Sequence, residues 1–462
     1  MRRVPLLLVT VLSTTLLLVP ASAMGPKGGA RFNVPEPYGD NEANYRIVKT
    51  VKHAINNTVR TRKHPRPVIN ISTYLMDWTP AVNALIDACR RGVQVRVILD
   101  EDIDNKNSRR LITALNSDNV RDRNRDGVAD GDPRAGRCNR PLHAEHGGLR
   151  TKPGTRPDSY SADEQFGLYS VRRALRSVQQ PHASAVTWGK DGSYVKVCDG
   201  SCRGLGGNMH SKFYLFSNTR HSHHVVMVSS SNLNRGGAEL GWNDMYVIKG
   251  RKKLYRGFKA MHRLMTDDVR ASSRKVQISD GPFVARFFPM RNASRRTDPT
   301  LHDLRKIRCH GPLGRTRINI SMFYWKGKRG DYLLDKVASL ARQGCKVRVV
   351  YGAPSRRIAS RMRAMAKHHL ISLWDSRWDY NDDGWSEVRT HAKYVLVKGH
   401  VGHDRRAYRV WTGSQNWVAG SLSRSDETSL NIGLRSAYDA YLADWQNIRD
   451  HSRRLPYSIY GR

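Results

Sequence analysis

The sequence predicts an α/β protein built twice over. Two pseudo-symmetric α/β/α lobes come from an internal duplication, each with a mixed, largely parallel sheet. Three observations predict this. A strand–helix–strand unit near residue 70 recurs near residue 320. A His-x-Lys strand followed by a strand ending in Ser-x-Asn occurs twice, in the same order. An amphipathic helix then closes each copy, so the chain reads as a repeat.

The elements follow in order. Val68 to Tyr74 alternates as a strand. Ala81 to Arg91 puts Val82, Leu85, Ile86 and Cys89 on one helical face, with Gly92 as the stop. Val93 to Leu99 is the next strand, completing a βαβ unit of the kind that builds parallel sheet. The second copy runs through Arg317 to Phe323, Tyr332 to Arg342 with Gly344, and Lys346 to Val350. Asn70-Ile71-Ser72 matches Asn319-Ile320-Ser321, and Val95-Arg96-Val97 matches Val347-Arg348-Val349.

Downstream, His210-Ser211-Lys212 opens a strand, and a second strand from Val225 ends at Ser230 and Asn232. The other copy has His391-Ala392-Lys393, then Ser414 and Asn416. An acidic position follows each: Asn243-Asp244 and Asp426-Glu427. The closing helices carry Leu254, Phe258, Met261 and Met265, and Tyr441, Leu442, Trp445 and Ile448. The first repeat spans 45–290 with an insertion at about 131–207, and the second spans 301–462. Residues 24–44 are Gly/Pro-rich and expected to be a loose lead-in. Residues 1–23, with an Arg pair, an apolar run and Ala21-Ser22-Ala23, read as a secretory signal, so an exported monomer is expected.

Lys plus Arg number 79 against 40 for Asp plus Glu, a net charge of +39. Such a charge suits polyanionic surroundings or a polyanionic partner (nucleic acid, an anionic membrane or an acidic wall), and equally the solubility of an exported chain. Of the cysteines, Cys89 and Cys345 fall in regular elements and read as buried. Cys138, Cys198 and Cys202 share a loop-rich region where a staple is expected. A lone Cys-x3-Cys is a poor zinc pattern.

On a strand, residues two apart share a face, so each His-x-Lys presents imidazole and ammonium side by side. A neutral imidazole attacks phosphorus to form a phosphohistidine, while a protonated one supplies the departing alkoxide with its proton. Two such strands, each followed by Ser-x-Asn in a duplicated chain, resemble the phospholipase D superfamily over roughly residues 45–460. The resemblance implies that the lobes meet face to face and pool their motifs in one active site at the lobe interface. It implies His210 as nucleophile and His391 as general acid, the reverse order staying open. Lys212, Lys393, Asn232 and Asn416 then hold the non-bridging oxygens, assisted by Ser230 and Ser414. Asp244 and Glu427 are expected to orient the histidines, and no cofactor is required for catalysis. One departure stands out: the family's Asp five residues after the Lys is replaced by Ser217 and Lys398.

Two loops, Asp122-x-Asn124-x-Asp126-Gly127-x-x-Asp130 and Asp379-x-Asn381-x-Asp383-Gly384-x-x-Glu387, resemble the opening of a calcium loop, so structural calcium is a candidate. Trp378 and Trp385 lie in the loop before His391 and are candidates for substrate contact. The expectation is a secreted phosphodiesterase that hydrolyses phospholipid headgroup esters at a membrane surface. A secreted metal-independent endonuclease is the alternative. A non-catalytic polyanion binder is the reading from another class.

Overall fold

The computed structural model describes residues 25–100, 105–116, 193–384 and 386–455. Residues 1–24, Cys138, Trp385 and the loop of Asp122, Asn124, Asp126 and Asp130 lie outside the described residues. The duplicated units are Val68–Ser72, Thr79–Arg90 and Gln94–Asp100, and Arg317–Trp325, Gly327–Arg342 and Lys346–Pro354. Their strands pair in parallel, Ile71 opposite Val97 and Ile320 opposite Val349. Gly92 and Gly344 end the helices at φ +82° and +94°, a conformation that favours glycine.

The His-x-Lys strands join the opposite flank of each unit and run antiparallel to it. Phe213–Thr219 pairs with Val68–Ser72, and Lys393–Val401 with Arg317–Trp325. Two-residue hairpins then reverse the chain, between Thr219 and Ser222 and between Val401 and Asp404. A reversal that short can only return antiparallel. The expectation of largely parallel sheets is corrected accordingly. Among the described residues, parallel pairs within the two large sheets are confined to the strand–helix–strand units and the strands Tyr194–Cys198 and Ser372–Asp375 beside them.

Three boundaries also move. Gly29–Phe32, expected to be loose, is an edge strand pairing with Asp244–Ile248. Tyr194–Cys198, placed in the insertion, is a strand of the first sheet, in the place Ser372–Asp375 takes in the second. Val276–Asp280 and Phe283–Phe288, assigned to the first repeat, join the second sheet through Glu427–Ile432. The lobes therefore divide before Val276.

The closing helices Lys252–Thr266 and Arg435–Asp450 lie between the two sheets. Leu254, Phe258, Tyr441 and Trp445 share one buried cluster with Phe213, Val226, Tyr394 and Val410. Phe258 meets Phe213 edge-on at 5.3 Å and Tyr441 meets Tyr394 at 5.1 Å. Each fully buried large side chain of this layer contributes about 1.5–3 kcal/mol. The remaining helices cover the outer faces, giving an α/β/α/β/α stack with the two closing helices in its central layer. Arg329 and Asp298, both buried, join the inter-repeat link to helix Gly327–Arg342 at 2.9 Å. Disulfides Cys198–Cys202 and Cys309–Cys345 are present, and Cys89 is disulfide-bonded, which corrects the reading of Cys89 and Cys345 as merely buried. No helix among the described residues is long and apolar enough to cross a membrane.

Candidate active site

Each His-x-Lys motif is held by the other lobe. The amides of His391 and Ala392 donate to the Trp242 carbonyl at 2.9 and 2.8 Å. Reciprocally, the His210 amide donates to the Asp426 carbonyl and the Asp426 amide to Asn208, both at 2.9 Å. The residue after each of these carbonyls then faces a histidine. His210 Nδ1 lies 3.0 Å from Glu427 Oε2, and His391 Nδ1 lies 2.8 Å from Asn243 Oδ1.

Glu427 occupies its expected place, and Asp244 does not. Successive strand residues face opposite sides, so Asn243 reaches the histidine while Asp244 turns into the protein. There Asp244 accepts from Thr412 and from Tyr441 Oη, the latter at 2.8 Å, and burial raises its pKa. The two repeats are thus offset by one residue from the alignment suggested by their acids.

The orientation of both partners is fixed. Asn243 Nδ2 donates to the carbonyls of Gly237 at 2.8 Å and Gly241 at 3.1 Å, which turns Oδ1 toward His391. Glu427 accepts from Ser414 Oγ at 2.5 Å and Ser421 Oγ at 2.7 Å. Both histidines therefore carry a proton on Nδ1, and each neutral ring keeps its Nε2 lone pair. Ser230 and Ser414 were expected on the phosphate; this is corrected. Ser230 Oγ donates to Asn243 Oδ1 at 2.9 Å and Ser414 Oγ to Glu427, so each hydroxyl proton braces a histidine's partner.

The cations are short of counter-charge. Lys212 Nζ donates to the His210 carbonyl at 2.5 Å, and Lys393 Nζ to that of His391. Burial pushes Lys212 down to about 7, with Glu427 and Asp100 opposing. Burial, then Lys212, hold Lys393 well below its ordinary value. Burial also lowers His210, against the pull of Glu427. His391 falls well below the usual imidazole range through burial and then Lys393 and Lys212, with no carboxylate among the main influences on it. A bound anion would reverse these shifts.

Asn232 Oδ1 accepts from the Leu75 amide at 3.4 Å and Thr73 Oγ1 at 3.2 Å; Asn416 Oδ1 accepts from the Tyr324 amide at 3.2 Å. Each amide's Nδ2 is left to donate to an oxyanion. Two aromatic walls escaped the sequence reading. Tyr74 lies 5.7 Å from His210 and beneath Lys212 at 5.5 Å. Phe323 lies 4.9 Å from His391 and beneath Lys393 at 5.0 Å. Each stands four residues beyond its repeat's Asn-Ile-Ser asparagine, a coincidence visible in the sequence. Ser217 and Lys398 serve the sheet instead: Ser217 Oγ accepts from the Val68 amide at 2.9 Å, and Lys398 covers Tyr408 at 5.4 Å.

Trp378 is 47% exposed on the segment that Trp378 and Val388 close by mutual backbone bonds. Within it, oxygens of Asp379, Asp383 and Glu387 lie within 4.8 Å of one another, while Asn381 Nδ2 donates to Asp383. Asp379 Oδ1 is buried without a hydrogen-bond partner, a donor set that fits a hard cation.

The family profile for the cardiolipin synthase, PLD-like domain matches residues 63–264 and 314–448. The chain belongs to the phospholipase D superfamily. Its fold is similar to that of phosphatidylserine synthase from Haemophilus influenzae Rd KW20, with a TM-score of 0.52 at 12% identity over 93% of this chain and 88% of that one. Polyphosphate kinase from Porphyromonas gingivalis gives 0.49 at 12% identity over 95% of this chain, which spans about half (53%) of the kinase chain. Nuc from Salmonella typhimurium, a phospholipase D family member, gives 0.27 at 17% identity over 38% of this chain and 98% of its own. No curated protein matches the sequence. This phospholipase D superfamily chain thus carries a duplicated phosphodiesterase-like domain with one histidine, lysine and asparagine from each repeat.

Proposed function

We propose that the protein is an exported phosphodiesterase that hydrolyses phospholipid headgroup esters through a phosphohistidine on His210. The observation that carries this is the unequal pair of histidine partners. Glu427 offers His210 a carboxylate, which stabilises the positive charge that develops on a ring attacking phosphorus. Asn243 offers His391 a neutral oxygen, so its imidazolium is the stronger acid and the readier proton donor.

In the first step the Nε2 lone pair of His210 bonds to phosphorus. The P–O bond to the headgroup breaks, and the leaving oxygen takes the Nε2 proton of His391. In the second step water gives a proton to His391 and its oxygen bonds to phosphorus, and the P–N bond pair returns to His210. Lys212, Lys393, Asn232 and Asn416 bind the non-bridging oxygens throughout. Calcium at Asp379, Asp383 and Glu387 would brace the loop before His391 and takes no part in these steps.

The lipid assignment is supported by the matched family's description as cardiolipin synthase. A nuclease is the second reading, favoured by the charge of +39. The test runs the chain with chelator on phosphatidylcholine–phosphatidylglycerol vesicles containing ethanol, and separately on plasmid DNA, each beside His210→Ala. Phosphatidic acid and phosphatidylethanol, both lost in the variant, are the expected products. Nicked plasmid with intact lipid moves the protein to the nucleases. Survival of both substrates favours a silent polyanion binder.

A further inference from the structure

The repeats share the backbone frame that carries the histidines and differ in the side chains that wall the phosphate site. Hydrogen bonds identify equivalent positions. The Leu75 amide bonds Asn232 as the Tyr324 amide bonds Asn416. The Asp77 amide bonds the Leu233 carbonyl as the Lys326 amide bonds that of Trp417. Asn208 and Arg389 each lie two residues before a catalytic histidine. From the His210 flank to the His391 flank, then, Leu becomes Tyr, Asn becomes Arg and Asp becomes Lys.

The aromatic rings on the His391 flank are already engaged by the chain's own cations. Arg389 Cζ lies 5.7 Å from the Phe323 ring centre and Lys393 Nζ 5.0 Å. Lys326 Nζ donates to Tyr324 Oη at 2.8 Å, 4.5 Å from that ring's centre, and the two rings stack at 5.8 Å. A quaternary ammonium headgroup is recognised by open aromatic faces. Here it would meet three like charges, whereas an anionic group would meet three opposite ones. Attack by His210 in line with the departing oxygen sends the headgroup to this flank.

We propose that Phe323, Tyr324, Lys326 and Arg389 form a leaving-group subsite selective for phospholipids with an anionic headgroup, one bearing a carboxylate or a second phosphate, over choline. This rests on the lipid reading and on His210 as the nucleophile. Lys326 is the specificity residue, since its counterpart in the other repeat has the opposite charge.

The experiment uses vesicles holding N-succinyl-phosphatidylethanolamine and phosphatidylcholine in equal parts, so both substrates share one surface. Released succinyl-ethanolamine and choline are quantified together for the full chain and for Lys326→Glu. A parallel tube holds bis(p-nitrophenyl) phosphate, and another a single-stranded oligonucleotide. The full chain is expected to favour the anionic headgroup by at least about tenfold, with Lys326→Glu lowering that ratio about tenfold, the order of one charge reversal near a surface. Equal release by the full chain, or an unchanged ratio in the variant, overturns the subsite while the lipid reading stands. Turnover of bis(p-nitrophenyl) phosphate with neither headgroup released overturns the lipid reading and the subsite with it. Cleaved oligonucleotide with intact lipid does the same in favour of a nuclease.

Discussion

Replacing Glu427 by Gln keeps the side chain's size and removes its charge. Glu427 Oε2 is 3.0 Å from His210 Nδ1, and the carboxylate is buried. With charge centres about 4 Å apart and an effective dielectric near 20, the attraction to a cationic His210 is about 4 kcal/mol. The uncharged ground state feels little of this, so the loss falls on the transition state and the phosphohistidine. Allowing for the amide oxygen that remains, about 3–4 kcal/mol is lost, a fall of about 10²- to 10³-fold in kcat. The assay is single-turnover release of p-nitrophenol from bis(p-nitrophenyl) phosphate, beside a thermal melt to show that the variant is folded. A folded variant that retains kcat within about threefold of the parent would refute the reasoning. The charge on Glu427 would then be irrelevant to the attacking ring, and the assignment of roles to the two histidines would lose its basis.

His210 must be neutral to attack and is depressed below 6.5, while Lys212 must be charged to bind phosphate and sits at about 7. The proton His391 must donate, held well below the usual imidazole range by burial, and the charge on Lys212 are both lost as pH rises, so kcat/KM should decline from the acid side of neutrality and be gone once pH passes about 7. A profile flat to about pH 9 counts against Lys212 as a phosphate ligand. Asp298→Ala leaves Arg329 buried without its carboxylate, and denaturant melts should show a loss of about 3–5 kcal/mol. The double variant with Arg329→Met should recover part of it, and no recovery would show that the pair is not the cause. Opening Cys309–Cys345, 36 residues apart, should cost about 4 kcal/mol, against about 2 for Cys198–Cys202, 4 apart. Single-bridge variants measured by the same melts give the order, and the reverse order rejects loop closure as the reason.

Most of the architecture was legible because each repeat supported the other. Val68–Ser72 alone is an ordinary apolar run, but Arg317–Trp325 with the same Asn-Ile-Ser fixes both as strands of one design. Sheet direction was misread from the same units. The two-residue gaps at Arg220-His221 and Gly402-His403 already required antiparallel return, and helical spacing elsewhere outweighed them. The histidine partners were half legible. Glu427 was found as an acid, and Asp244 was chosen over Asn243 for the same reason, although only one of two neighbours on a strand can face the site. Chemistry named the type of group, and register, fixed by the Trp242 and Asp426 carbonyls across the seam, decided the residue. Tyr74 and Phe323 were missed because an aromatic at the end of a strand is ordinary core sequence until the fold sets it beside a histidine.

The exchange of partners across the seam also sets the order in which the catalyst comes into being. His210 is synthesised more than two hundred residues before Glu427, which holds its ring. A chain still being made can complete the first sheet and its disulfide loop and yet own no aligned nucleophile. On the same reading, a product of truncation or proteolysis that stops short of Glu427 is expected to be inert. On the proposed mechanism, cleavage of phosphodiesters waits until the second copy has folded against the first.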